Sequence, residues 1–289
     1  MIGCRVHSAV LALVILAAPA AGIPASAQAA QGSAPIEIEY VPPAKQYLRP
    51  VYERLKQRKV LEQLRDFLSP LRLPVTLRIR TLQCDDTNAY WAGRVEGLKL
   101  CYEYVDWLER LAPAETTPEG FTPQDAIAGA FVEVTLHEMG HAVFDLFNVP
   151  IFGREEDAAD QMAGFLMLQF GQDVALRTIS GTAYTYQQQA KQSNWSRTTF
   201  ADEHETDEQR FYNYLCLAYG AQPATFQRFV DSNILPAKRA ANCGREYRQI
   251  QRAFLKTIMP HVDQEVMKKV QAMQMLRPDD GIIKRDYAQ

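Results

Sequence analysis

The chain has 289 residues, 31 basic against 34 acidic side chains and a formal net charge of −3. So mild an acidity, with no compensating basic stripe, argues against a nucleic-acid partner. Apolar residues make up 47%, enough for one domain with a large core or two closely fused lobes, and no internal repeat is visible.

Arg5 precedes an apolar run over residues 9–21, and Ala25-Ser26-Ala27 offers a small-x-small cleavage site. Residues 1–27 therefore read as a secretory signal peptide, the run being short for a membrane span; a retained anchor is the alternative. Export predicts a periplasmic or secreted protein with no stable membrane insertion after signal removal. Cys4 leaves with the signal, so Cys84, Cys101, Cys216 and Cys243 form an even set for an oxidising compartment. Three pairings are possible; Cys84–Cys101 across a hairpin and Cys216–Cys243 between two late helices join chain neighbours. No Cys-x-x-Cys spacing suggests zinc ligation.

Residues 28–45, with Pro42-Pro43, read as a flexible leader, and 46–289 as the folded domain. Tyr47, Val51, Leu55 and Leu61 predict one amphipathic helix over 46–68. Residues 75–82 alternate as a half-buried strand, and 88–91 and 99–102 suit two more, with Gly93 and Gly97 near the turn. Beyond Tyr102 the pattern is almost wholly helical. The expected class is α+β: a small antiparallel or mixed sheet (about 70–105), with an edge strand, packed on a helical body (about 103–275).

The most informative stretch is His137-Glu138-Met139-Gly140-His141. Thr122 before Pro123 is a helix start signal, Asn148 and Pro150 a stop, and Ile127, Ala130, Phe131 and Val134 form a stripe leading to the histidines. Residues four apart on a helix share a face, so both imidazoles can reach one metal ion. Two buried imidazoles beside a carboxylate would be costly without one. Glu138 points to the side where a water awaiting activation could sit.

Catalytic zinc needs a third protein ligand. Pro150 and Gly153 break the chain, and a second helical pattern starts at Arg154 and runs through Ala159, Met162, Ala163 and Leu166. So short a connection predicts an antiparallel pair that returns Glu156 toward the histidines, with Ala158 and Ala159 allowing close approach. Glu156 and Asp160 lie one turn apart, so Glu156 can bind metal while Asp160 accepts a ligand His ring N–H. Glu155 and Asp157 suit a solvated first turn complementing the helix dipole, and Glu155 is the reserve ligand.

This arrangement, His-Glu-x-x-His followed by Glu156-x-x-Ala-Asp160, resembles the gluzincin metallopeptidases, thermolysin-like enzymes among them. The resemblance implies a zincin-like fold, Zn2+ held by His137, His141 and Glu156, Glu138 as general base, and Asp160 orienting a ligand His. Asn88-Ala89-Tyr90-Trp91 is similar to the thermolysin-like segment whose edge strand binds the peptide substrate, which would make Asn88, Ala89 and Tyr90 substrate-binding residues. Most of residues 80–245 resembles a family of secreted bacterial proteins described only as "putative metallopeptidases".

His204 precedes another helix, started by a Thr206/Gln209 capping box or by Asp202 with Glu205, striped by Phe211, Leu215 and Ala218, and ended by Gly220. On a loop edge, His204 could stabilise the oxyanion as a His does in thermolysin-like enzymes. Tyr212 and Arg210 compete for that role, and a capping or surface His is the bland alternative. His261 reads as structural. The expected function is an exported zinc peptidase acting on peptides or proteins, preferentially as an endopeptidase, since no Gly-x-Met-x-Asn segment occurs. The alternatives are a zinc-binding interaction module without turnover and a metal-free structural or inhibitory protein.

Overall fold

A computed structural model describes residues 34–117, 120, 122–193 and 196–272; the expected signal peptide lies outside them. Strand β1 (Ile36–Tyr40) leads into helices α1 (Arg49–Gln57) and α2 (Val60–Leu68), then β2 (Leu77–Leu82), β3 (Ala89–Trp91), the single turn α3 (Gly93–Glu96) and β4 (Leu98–Cys101). The body follows as α4 (Tyr102–Leu111), α5 (Pro123–Phe147), α6 (Glu155–Met167), α7 (Gln172–Gln192), α8 (Arg197–Ala201), α9 (Asp207–Ala221), α10 (Pro223–Asp231), α11 (Ala237–Thr257) and α12 (Gln264–Ala272). The class is α+β, as expected. Among the described residues no helix is long and apolar enough to cross a membrane.

The sheet is mixed, in the order β1-β2-β4-β3. β1 and β4 run parallel to β2, and β3 runs antiparallel to β4, with Tyr90 opposite Lys99. Alternation in β2 buries Leu77, Ile79 and Thr81, while Arg78 and Arg80 face outward toward Glu37 and Glu96. Two departures from expectation concern the chain start. Residues 36–40 fall within the expected leader but form a strand, and their Ile-Glu-Ile-Glu-Tyr alternation is the signal that marks it. The helix expected over 46–68 is two helices, because Lys59 takes a left-handed conformation (φ 52°) between them. Tyr40 Oη accepts the Leu61 N–H (2.8 Å) at the start of α2 and donates to Glu62 (2.7 Å), so the bend is tied to β1.

Helix α5 is the axis of the molecule. The Thr122 hydroxyl accepts the Asp125 N–H (3.0 Å) while the Asp125 carboxylate accepts from Thr122, and the left-handed Asn148 (φ 50°) ends the helix. Phe131, Met139, Ala142 and Val143 join the core beneath the sheet, and Leu136 joins a second core with α6, α7, α9 and α11. Such division leaves the helix apolar nearly all round, as burial between two layers requires.

The backbones of α5 and α6 nearly touch: a Cβ placed on Gly140 would stand 3.1 Å from the Ala159 Cα. Disulfides join Cys84 to Cys101 and Cys216 to Cys243, the pairing expected. Gly220 does not end α9, which continues to Ala221; a Cβ there would stand 2.3 Å from the Cys243 carbonyl oxygen, so this glycine admits α11.

Candidate metal centre

The antiparallel return of α6 brings Glu156 onto the two motif histidines. His137 Nε2 lies 3.0 Å from Glu156 Oε2 and 3.1 Å from His141 Nε2, and His141 Nε2 lies 3.3 Å from the same carboxylate oxygen. Donors bound to zinc at about 2.0–2.1 Å stand roughly 3.3 Å apart on a tetrahedron, so this triangle has the dimensions of one face of such a shell. Two imidazole nitrogens and an anionic oxygen converging so closely could hold a shared cation, and the donor set is of a kind that suits zinc.

The outer ring nitrogens turn these donors inward. Asp160 Oδ1 bonds His137 Nδ1 (2.7 Å), and Glu155 Oε1 bonds His141 Nδ1 (2.8 Å). Glu155 thus has a partner in the site, where the sequence assigned it a solvated turn or a reserve ligand position. Asp160 in turn receives Arg210 from α9, Nε at 2.7 Å and Nη2 at 2.5 Å. Arg210, an alternative to His204 for the oxyanion role, is thus engaged with Asp160, which bonds the outer nitrogen of His137. Tyr212 is exposed on α9. Glu133, Tyr186 and Tyr214 complete the network around Arg210 and were not picked out from sequence; a glutamate one turn before His137 in an otherwise apolar stripe was the available signal.

His204 reaches the same place from the loop before α9. Its Nε2 lies 2.9 Å from Glu156 Oε2, its Nδ1 3.0 Å from Asp202, and its ring stacks on His137 at 5.9 Å. Thr206 and Gln209 form the capping box that starts α9, which leaves His204 outside the helix. His261 instead stacks on Phe147, at 4.1 Å.

Glu138 faces the sheet. Its Oε2 accepts the Trp91 N–H at 2.5 Å, so β3, the edge strand, adjoins the carboxylate. Asn88, Tyr90 and Ala92 turn their backbones toward β4, as the Cys101 N–H to Asn88 O and Ala92 N–H to Gly97 O bonds require, so Ala89 and Trp91 present theirs outward. Asn88 Oδ1 accepts the Ala89 N–H (2.9 Å), and the Tyr90 hydroxyl bonds Asp86.

Electrostatics follow the geometry. Burial would depress the His137 imidazole, but Asp160 and Glu156 at its two nitrogens push it up to about 10. Hydrogen bonds from His137, His141 and His204 hold Glu156 well below the usual carboxylate range. Burial raises Glu138, opposed by His137 and the Trp91 N–H. His137, Glu156 and His204, and likewise His137, Glu138 and His141, are groups that could hold a metal ion.

A family model, DUF4344, described as "Putative metallopeptidase", matches residues 40–257. No curated protein and no solved structure matches the chain.

Proposed function

The chain belongs to this family of putative metallopeptidases, and on that premise we propose that it is an exported zinc-dependent peptidase of thermolysin-like mechanism. The observation that carries the reading is the triangle of His137 Nε2, His141 Nε2 and Glu156 Oε2 with edges of 3.0–3.3 Å. These three residues would hold the metal. Zinc in such a centre makes water acidic enough to attack near pH 7 and polarises a carbonyl.

Glu138 is the general base. Its raised pKa suits it to take a proton from the attacking water and return it to the leaving amine. His204, on a loop and oriented by Asp202, donates to the carbonyl oxygen as charge develops there. Asp160 and Glu155 fix the rings of His137 and His141. An extended peptide adds to the outer edge of β3, where the Ala89 and Trp91 backbones face outward and Asn88 and Tyr90, whose backbones are taken by β4, can contribute only side chains; such main-chain bonds favour an endopeptidase that reads few side chains. The two disulfides support a periplasmic or secreted location.

Metal analysis of wild type beside His141→Ala, followed by peptide-library digestion with wild type and Glu138→Gln, tests the proposal. Wild type should carry one zinc and cleave, His141→Ala should lose the metal, and Glu138→Gln should keep it while turnover falls roughly 10²–10⁴-fold. Cleavage undiminished in Glu138→Gln would remove the base; unchanged metal content in His141→Ala would remove the centre.

A further inference from the structure

Behind His137 lies a buried polar network that the proposed chemistry does not use. Glu133, one turn earlier on α5, is 2% exposed and accepts from the hydroxyls of Tyr214 (2.6 Å) and Tyr186 (3.0 Å). A buried carboxylate needs a counter-charge as well as hydrogen bonds. Arg210 supplies it: its Nη2 lies 3.5 Å from Glu133 Oε1, and its guanidinium sits over the Tyr186 ring at 4.4 Å. The same guanidinium bonds both Asp160 oxygens, and Asp160 Oδ1 also bonds His137 Nδ1.

We propose that Arg210 is a positioning residue for the metal centre, acting through Asp160 on His137. The proposal rests on the reading of His137 as a metal ligand. A carboxylate held by one bond can swing about its own side-chain torsions; a two-pronged guanidinium contact fixes its plane. Fixing Asp160 fixes the acceptor at His137 Nδ1, and the ring then points Nε2 at His141 and Glu156. Arg210 is itself immobilised by Glu133 from α5 and Tyr186 from α7, so α5, α6, α7 and α9 share in aiming one imidazole. An ion pair that merely joined α9 to α6 would affect stability and leave the donors alone.

The full-length protein distinguishes these roles in a double-mutant cycle of Arg210→Lys and Asp160→Asn. Zn2+ affinity is measured by chelator competition, the visible spectrum with Co2+, and melting temperature on the metal-free form. Lysine keeps the charge and loses the fork. Arg210→Lys should weaken zinc binding about 10-fold and alter the Co2+ bands, within the 10–100-fold usual for groups that support metal ligands. In the Asp160→Asn background it should cost little more, because its route is already cut. Unchanged affinity and spectrum in Arg210→Lys, whatever its melting temperature, would overturn the proposal, as would losses that simply multiply. Should Arg210→Lys fail to fold, Glu133→Gln enters the same cycle, with the same criteria. Wild type that binds no metal overturns the reading of the centre and this proposal with it; wild type that binds while Arg210→Lys is unchanged overturns this proposal alone.

Discussion

Both imidazoles of the motif are held at their outer nitrogens, His137 by the largely enclosed Asp160 (side chain 14% exposed) and His141 by the half-exposed Glu155 (54%). The difference in exposure predicts a difference in consequence. Asp160→Asn should weaken metal binding toward 100-fold and Glu155→Gln nearer 10-fold, read by chelator competition, because water can replace the exposed partner but not the enclosed one. The pKa of His137 makes a second prediction, for the metal-free protein. On folding the imidazole gains two carboxylate partners and rises from 6.5 to about 10. Stabilisation from this group is complete below pH 6.5 and is lost as pH rises through about 10. Melting temperatures in chelator should therefore decline from pH 6.5 toward 10 relative to His137→Gln; a relative rise would contradict the charge assignment. Saturating zinc, which requires neutral imidazole, should remove the trend.

Among the elements, α5 carries the architecture, and small residues let its neighbours approach. On Gly181 of α7 a Cβ would stand 1.7 Å from the Asp125 carbonyl oxygen in the first turn of α5, a backbone atom that moves only with its helix. Gly181→Ala should cost stability at the upper end of roughly 1–3 kcal/mol, measured by urea unfolding, and an unperturbed variant would mean the two helices separate freely. The start of α5 at Thr122 and Pro123, its stop at Asn148 and the antiparallel return of α6 were all legible as local signals, because caps and short connections act within a few residues. Lys59 was not: nothing in 46–68 marks a left-handed residue, and the bend exists because Tyr40 on β1 captures the start of α2. The strand at 36–40 is legible in its alternation, although Pro42-Pro43 breaks regular structure directly after it.

At the scale of the whole molecule, the two disulfides staple separate regions: Cys84–Cys101 ties the loop after β2 to the end of β4, and Cys216–Cys243 joins α9 to α11. Replacing the second pair by serines should lower unfolding free energy by about 2–4 kcal/mol, since the bridge closes 27 residues of chain, and denaturant midpoints would show it. If α9 loosens as well, metal affinity should fall with it, because Arg210 and the loop bearing His204 both depend on that helix. From the sequence alone came the motif and Glu156 as the returning carboxylate, set by spacing along one element and across one short turn, together with the class and the favoured one of three disulfide pairings. Only the tertiary structure decided that β1 completes the sheet, that Glu138 meets the Trp91 amide, that His204 lies against Glu156 and that Arg210 stands behind His137. Each of these joins residues far apart in the chain, and such meetings follow from how helices and strands pack, which no local periodicity records.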